Sequence, residues 1–399
     1  MRRIAPPGSY HDEREIEVIT DLLRSSHLQI GENVEAFEAG VAALMAKQHG
    51  VMVNSGTSAI YLALDLLDLE PGDEIITSVL TFSADIAPMV RAGVVPVFVD
   101  VDETGYQIDV TRIAEMVGPR TKAIMTPNLI GNCPDWDVIR DVADRHGLKV
   151  IEDTCDVLGD TFLRGTRTGT RADIGVTSFA VTHSITAAGG GGLVGLDDAE
   201  LLDRCLVKRR WGRRSERYLF GSKRGQSDRF SATVDGLAYD NIFVFEEPLV
   251  WNFEPTELAA AFGRVQLEKL DEFNRRRRAN FDRYDEWFGE HEDQFIRPTT
   301  TPELETTWML YPYMVRPDAK LSRGETQELL EKQGVPTRVV WSGNITRQPG
   351  FSKIERREPE DGFRNADRVM EYALMLPTHQ GLTDEDVDYV IDVLEQTLG

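Results

Sequence analysis

Asp173-Ile-Gly-Val-Thr-Ser178-Phe179, then Ala180-Val-Thr182-His183-Ser184-Ile-Thr186, then the run Gly189 to Gly192, is the stretch around which the chain organises itself. A strand ends at Ser178 and Phe179, and a short loop leaving it carries His183. The glycines behind the loop have no Cβ, so backbone can pack closely against it. A loop at the carboxyl end of a strand is where parallel α/β sheets bind their ligands.

Outward from that strand the pattern alternates. Val51-Met-Val53, Ile75-Ile76, Val97-Phe-Val99, Ala123-Ile-Met125 and Val150-Ile151 are short apolar runs of strand type. Ala59 to Leu67 and Val138 to Arg145 read as intervening helices. The fold class is therefore α/β with a mostly parallel sheet. Ile16, Ile19 and Leu23, at helical spacing between Asp12 and Arg24, predict an amphipathic first helix. Near Val250 the alternation stops, and Pro255 to Phe273 reads as a long helix. Arg275-Arg-Arg-Arg278 then reads as a connector into a smaller C-terminal α+β domain. Two domains are expected: a large α/β domain with the first helix over 1–254, and the long helix with the small domain over 255–399. Thr383-Asp-Glu-Asp386 is a capping-box pattern ahead of a last helix with Val387, Val390, Ile391 and Leu394 on one face.

Composition narrows the function classes. With 41% hydrophobic and 28% charged residues the chain is that of a globular enzyme rather than a disordered segment. A net charge of -23 argues against nucleic acid as a partner, because phosphate backbones need a positive face. No apolar run reaches the length of a membrane span, and the two N-terminal arginines have no apolar stretch behind them, so a cytoplasmic protein is expected. Cys133, Cys155 and Cys205 are too scattered for a disulfide framework or a metal site, and no metal is expected. Lys208-Arg-Arg-Trp-Gly-Arg213-Arg214 runs against the acidic balance, as a solvated loop or as a contact for a diphosphate.

Three further places can carry chemistry. Asn54-Ser55-Gly56-Thr57-Ser58 joins a strand to a helix, and its amides and hydroxyls either cap that helix or cradle a phosphate. Ile151-Glu152-Asp153 closes a strand and puts a carboxylate at the sheet's edge. Phe82 either fills core or stacks on a ligand ring.

In order and spacing these landmarks resemble the DegT/DnrJ/StrS sugar aminotransferase family of pyridoxal 5′-phosphate (PLP) fold type I, whose loop reads S-F-x-x-x-K-N-I-T-x-G-E-G-G. The likeness covers the Asn54 to Ser58 turn, Phe82, the strand Gly93 to Asp102, Glu152-Asp153, Ser178 and Trp251-Asn252. Where the family's Schiff-base lysine stands, this chain has His183, which cannot form an imine. Within the family a histidine there is similar to the NDP-4-keto-6-deoxyhexose 3-dehydratases. Glu152-Asp-Thr-Cys155-Asp156-Val-Leu-Gly159 resembles their E-D-x-C-D-A-L-G, and Lys208 to Arg213 their R-D-W-G-R. Ser342-Gly-Asn344-Ile-Thr-Arg347-Gln-Pro349 resembles their G-N-x-x-R-Q-P. The loop departs from their S-F-Y-P-A-H-H-I-T by Ala180-Val-Thr182, Ser184 and Gly189.

The resemblance implies roles. Gly56, Thr57, Ser58 and Ser178 would bind phosphate, Phe82 would stack on the ring, Asp153 would pair with its nitrogen, and Asp156 would lie beside it. Asn252 would reach the neighbouring subunit's phosphate, implying a homodimer. Arg213, Asn344 and Arg347 would face a nucleotide sugar. His183 would act as the base in loss of the C3 hydroxyl, with L-glutamate renewing pyridoxamine phosphate (PMP). One dehydratase branch holds an iron–sulfur cluster on four thiolates. Only Cys155 matches, so no iron–sulfur cluster is expected, and the likeness is to the cluster-free, colitose-pathway type. Two other functions remain open on the residues: PMP-dependent chemistry on a different keto substrate, and a non-catalytic binding protein.

Overall fold

Interior parallel strands, covered on both faces, are spelled by continuous apolar runs rather than by alternation. The computed structural model, which describes residues 2–226 and 232–398, follows this rule. Its large sheet is built from β1 (His49–Val53), β2 (Glu74–Ser78), β3 (Val95–Val99), β4 (Thr121–Pro127), β5 (Lys149–Asp153), β6 (Ile174–Ser178) and β7 (Gly192–Leu196). Their spatial order is β1-β7-β6-β5-β4-β2-β3, and every residue of β2, β3 and β6 is buried. β7 runs antiparallel to both neighbours, whereas the pairs from β6 to β3 are parallel.

Six of the seven strands stand where the apolar runs predict them. β7 is the one that the sequence reading lacks. It starts on Gly192 and contains Gly195, and glycine lowers strand propensity. Both glycines are steric necessities. A Cβ at Gly192 would lie 2.3 Å from the Ser55 carbonyl oxygen, and one at Gly195 would lie 2.9 Å from Lys47 Cγ. The close approach at Gly192 presses the Asn54–Ser58 turn against the strand that returns from the His183 loop.

The helices of the first half are α1 (Glu13–Ser25), α2 (Glu32–Leu44), α3 (Gly56–Asp65), α4 (Ser83–Arg91), α5 (Trp136–His146) and α6 (Ala199–Arg209). The first is amphipathic as expected but docks by its polar side. Ile16 and Leu23 are exposed, while Glu15 is fully buried and paired with Lys269 at 2.6 Å.

α7 (Glu257–Glu290) corrects the connector reading. It runs 34 residues without a break, straight through Arg275–Arg278. Arginine is a good helix former, and three of these four side chains find partners on other segments. Arg276 donates to the Leu382 carbonyl and Asp384, Arg277 to the Met309 and His183 carbonyls, and Arg278 to Asp160 and Thr307. The basic run fastens the helix to both halves of the chain. Beyond it, Phe295–Ile296, Leu310–Val315 and Ala373–Pro377 form a three-stranded antiparallel sheet packed with helices, the α+β unit expected at the C-terminal end. The last helix, Asp384–Leu398, begins with Thr383 Oγ1 accepting from the Asp386 amide at 3.2 Å. Among the described residues no helix is long and apolar enough to cross a membrane.

Candidate active site

The carboxyl ends of β5 and β6 and the N-termini of α3 and α4 converge on one cavity of about 380 Å3. Gly56 sits where α3 begins, and a Cβ there would meet Ser178 Cβ at 2.6 Å, so only glycine lets the turn close against β6. Ser55 caps α3, its Oγ accepting from the Ser58 amide at 3.1 Å. Ser58 Oγ is turned inward, donating to Asn54 Oδ1 at 2.6 Å, and it is Ser55, Gly56 and Thr57 that line the cavity. The first-turn amides of Gly56 and Thr57 have no intrahelical acceptor and sit at the positive end of the helix dipole. Ser178 completes this corner from the end of β6.

Opposite the turn lie three buried acids. Asp153, at the end of β5, is 5% exposed, and its Oδ1 accepts from the Cys155 amide at 2.8 Å. Burial pushes its carboxyl up to about 6. Asp156 accepts from the Ile130 amide at 2.8 Å and from Trp341 Nε1 at 3.0 Å, and burial raises it to about 6 as well. Asp85, on α4, is held well above the usual carboxylate range by burial and by Asp153. Three acids facing one cavity, with Arg277 acting only on Asp156 and Arg338 out at the exposed mouth, are suited to a ligand that brings positive charge, such as a protonated ring nitrogen.

His183 enters from the loop after β6. Its carbonyl accepts from Arg277 at 3.3 Å, and its amide donates to the Ala180 carbonyl at 3.0 Å, which fix the backbone. The ring's Nδ1 is buried and has no partner. Burial, with Arg277 adding to it, depresses the imidazolium to about 4, so the ring is neutral at neutral pH and able to accept a proton. Among the described residues no lysine lines the cavity.

Phe82 and Trp341 flank the mouth, Phe82 being 58% exposed. Arg338 also lines the cavity, exposed, and its guanidinium has no partner among the described residues. Asp85, Arg338 and Trp341 were not singled out from the sequence. Asp85 lies in no motif, and the other two lie just outside the Ser342–Pro349 motif.

Besides Ser58, four of the residues named from the sequence do not line this cavity. Asn252 is exposed and bridges by backbone to Arg210. Arg213 stacks over Trp211 at 4.3 Å. Asn344 and Arg347 face a separate open cleft of about 820 Å3, where both bond to Asp367. The other face of their loop, through Ser342, Gln348 and Pro349, lines a recess of about 360 Å3 that shares Phe82 and Trp341 with the cavity.

Comparison with known proteins finds relatives over nearly the whole chain. The chain is 33% identical over 403 residues to dTDP-4-dehydro-2,6-dideoxy-D-glucose 3-dehydratase of Saccharopolyspora spinosa, covering 98% of this chain and 86% of the relative. Its fold matches E. coli GDP-4-keto-6-deoxy-D-mannose-3-dehydratase with bound hydrated PLP at a TM-score of 0.88 and 27% identity, over 99% of this chain and 100% of the other. It also matches GDP-4-keto-6-deoxymannose-3-dehydratase with a trapped PLP-glutamate geminal diamine at a TM-score of 0.87 and 26% identity, over 98% and 100% of the two chains. The DegT/DnrJ/EryC1/StrS aminotransferase family matches residues 9–395, and the chain belongs to that family.

Proposed function

We propose that this protein is a PLP/PMP-dependent 3-dehydratase that removes the C3 hydroxyl of a nucleotide-linked 4-keto-6-deoxyhexose, with L-glutamate as amino donor. The observation that carries the reading is a neutral His183 ring, its Nδ1 unpartnered, in a cavity that no lysine lines. When bound, the cofactor supplies an amine for the sugar ketone and a conjugated ring that accepts electrons.

The remaining work falls to the chain. The Gly56 and Thr57 amides and the Ser178 hydroxyl hold the phosphate, with the α3 dipole behind them. Asp153 would pair with the ring nitrogen and keep it protonated, Asp156 would add negative charge nearby, and Phe82 and Trp341 would offer aromatic faces to the ring. His183 removes a proton from the cofactor's C4′ carbon and hands one to the C3 hydroxyl as it leaves. A lysine in its place would have carried the proton to sugar C4, the aminotransferase outcome. The unpaired guanidinium of Arg338 suits a carboxylate of L-glutamate. The exposed Asn252 suits the phosphate of a second copy in a homodimer. The nucleotide sugar enters through the recess at Phe82, Trp341 and Gln348. The reaction is placed in the cytoplasm, where nucleotide sugars and glutamate are both available.

Mass spectrometry tests this directly, on purified protein with PLP, L-glutamate and GDP-, CDP- and dTDP-linked 4-keto-6-deoxyhexoses. A 3-deoxy sugar, with ammonia and 2-oxoglutarate formed in step, supports the dehydratase. A 4-amino sugar would overturn it in favour of transamination. The replacement of the subfamily's Y-P-A by Ala180-Val-Thr182 favours a second reading, a different keto substrate. Its signature is 2-oxoglutarate formation with no sugar consumed.

A further inference from the structure

Asp85 belongs to no motif, yet it is buried more deeply than either acid that does. It is 1% exposed, against 5% for Asp153 and 9% for Asp156. It stands third in α4, where an acid ordinarily serves the helix's first-turn amides with water on its far side. Here Oδ2 accepts from Thr81 Oγ1 at 2.5 Å, and Oδ1 is buried with no donor at all. Asp153 lines the same cavity, and its carboxyl group interacts directly with that of Asp85. Two carboxylates can share a hydrogen bond only with a proton between them, and two like charges so close in a buried site do not both ionise.

Which acid keeps the proton follows from their other partners. Asp153 receives the Cys155 amide at 2.8 Å and the Cys155 thiol, both of which favour its anion. Asp85 has the Thr81 hydroxyl and a backbone contact at Phe82, and it is the drier of the two. Asp156 also faces the pair: it repels negative charge on Asp153, while its own charge is opposed by Asp85 and answered by Trp341, the Ile130 amide and the field of Arg277.

We propose that Asp85 is a positioning residue that stays protonated at neutral pH and donates from Oδ1 to Asp153, so that the pair carries one negative charge and Asp153 directs it at the cofactor's ring nitrogen. This rests on the assignment of Asp153 to that nitrogen. A pair carrying one negative charge against a singly protonated ring is neutral overall. A doubly ionised pair would leave a buried surplus.

The decisive measurement needs no cofactor. In cofactor-free protein at pH 7.5, infrared difference spectroscopy between wild type and Asp85→Asn should show one protonated carboxyl band lost in the variant. No lost band, or an Asp85 13C-carboxyl resonance titrating in the usual aspartate range, would overturn the proposal. A second comparison uses PLP affinity and the 15N shift of labelled PLP. Asp85→Asn keeps a donor toward Asp153 and should bind PLP within about threefold of wild type with the nitrogen still protonated. Asp85→Val removes the donor and should lose about tenfold in affinity while the nitrogen shift moves toward the unprotonated value. The reverse ranking would mean that the charge of Asp85 matters rather than its proton. If wild type bound no PLP, the functional reading would fail instead, and the infrared result would stand by itself.

Discussion

The floor and the mouth of the cavity are built on opposite principles. At the floor, Asp85, Asp153 and Asp156 are buried and accept hydrogen bonds from the Thr81 hydroxyl, the Cys155 amide and the Ile130 amide, while Ser55 caps α3 beside them. At the mouth, Phe82 and Arg338 are exposed, and Arg338 has no partner among the described residues. Charges held dry and in place suit a group that stays bound through many turnovers. Exposed and adaptable side chains suit ligands that come and go. The floor should therefore decide whether the cofactor binds and reacts, and the mouth which donor and which sugar are taken.

His183 stands between the two regions, and its replacement should have the largest effect. His183→Asn should lower dehydration by about 10³-fold, the usual contribution of a positioned acid–base group, with PLP affinity nearly unchanged. Because burial holds the imidazolium at about 4, the ring of the cofactor-free protein should remain neutral by NMR down to about that pH, not to the ordinary 6.5. A His183 resonance titrating near 6.5 would place the ring in water and break its assignment to the cavity. Turnover at the wild-type rate by His183→Asn would break it from the other side.

Asp153 tests the floor. Asp153→Asn should weaken PLP binding by about 10- to 100-fold, the loss of a buried ion pair's electrostatics. Its effect on the cofactor-free protein has the opposite sign. A carboxyl raised in the fold to about 6, from about 3.8 unfolded, contributes stability below pH 4 that is lost as pH rises through 6. Asp153→Asn should thus raise the Tm of cofactor-free protein at pH 7.5, by on the order of 1–3 kcal/mol of stability, and leave it nearly unchanged at pH 4. A Tm lowered at pH 7.5 would show that Asp153 is stabilised in its empty cavity, contrary to an acid waiting for a cation.

These contrasts also explain what could be read from the sequence. The sheet was legible because β1 to β6 are apolar runs, and the Asn54–Ser58 turn, Asp153 and the His183 loop because they follow such runs. β7 was hidden by the glycines that its packing requires. α7 was cut short because four arginines in a row read as a surface connector, although Arg277 is 2% exposed. Asp85 was illegible for a different reason. Its environment comes from Thr81 on one side and from Asp153, 68 positions onward, on the other, and no local pattern encodes that meeting. Arg338 was passed over because a lone arginine near a motif carries no signal until the fold leaves it unpaired.

The mouth is sharpened by Arg338. Arg338→Met should raise the KM for L-glutamate about tenfold with kcat little changed, the pattern of a group that binds the donor equally in ground and transition states. The sugar half-reaction, started from preformed PMP enzyme, should be affected much less. Equal losses in both half-reactions would make Arg338 part of the sugar site and move the donor's carboxylate elsewhere.

The smallest expected effect belongs to Arg347, and it is the one that most directly sets structure against sequence pattern. The motif likeness turns Arg347 toward a nucleotide sugar, whereas the fold turns it into the 820 Å3 cleft and pairs it with Asp367, which also holds Asn344. The guanidinium is 60% exposed, and an ion pair that open to water contributes at most about 1 kcal/mol. If the sugar enters beside Gln348 and Trp341, Arg347→Ala should change its KM by less than about twofold, because an exposed ion pair is nearly neutral to lose. A rise of about tenfold or more would mean that Arg347 leaves Asp367 to meet a phosphate, since a charge-assisted contact is what such a loss corresponds to. The large cleft would then belong to the substrate path, and the boundary between a fixed floor and a selective mouth would lie farther out than the cavity's rim.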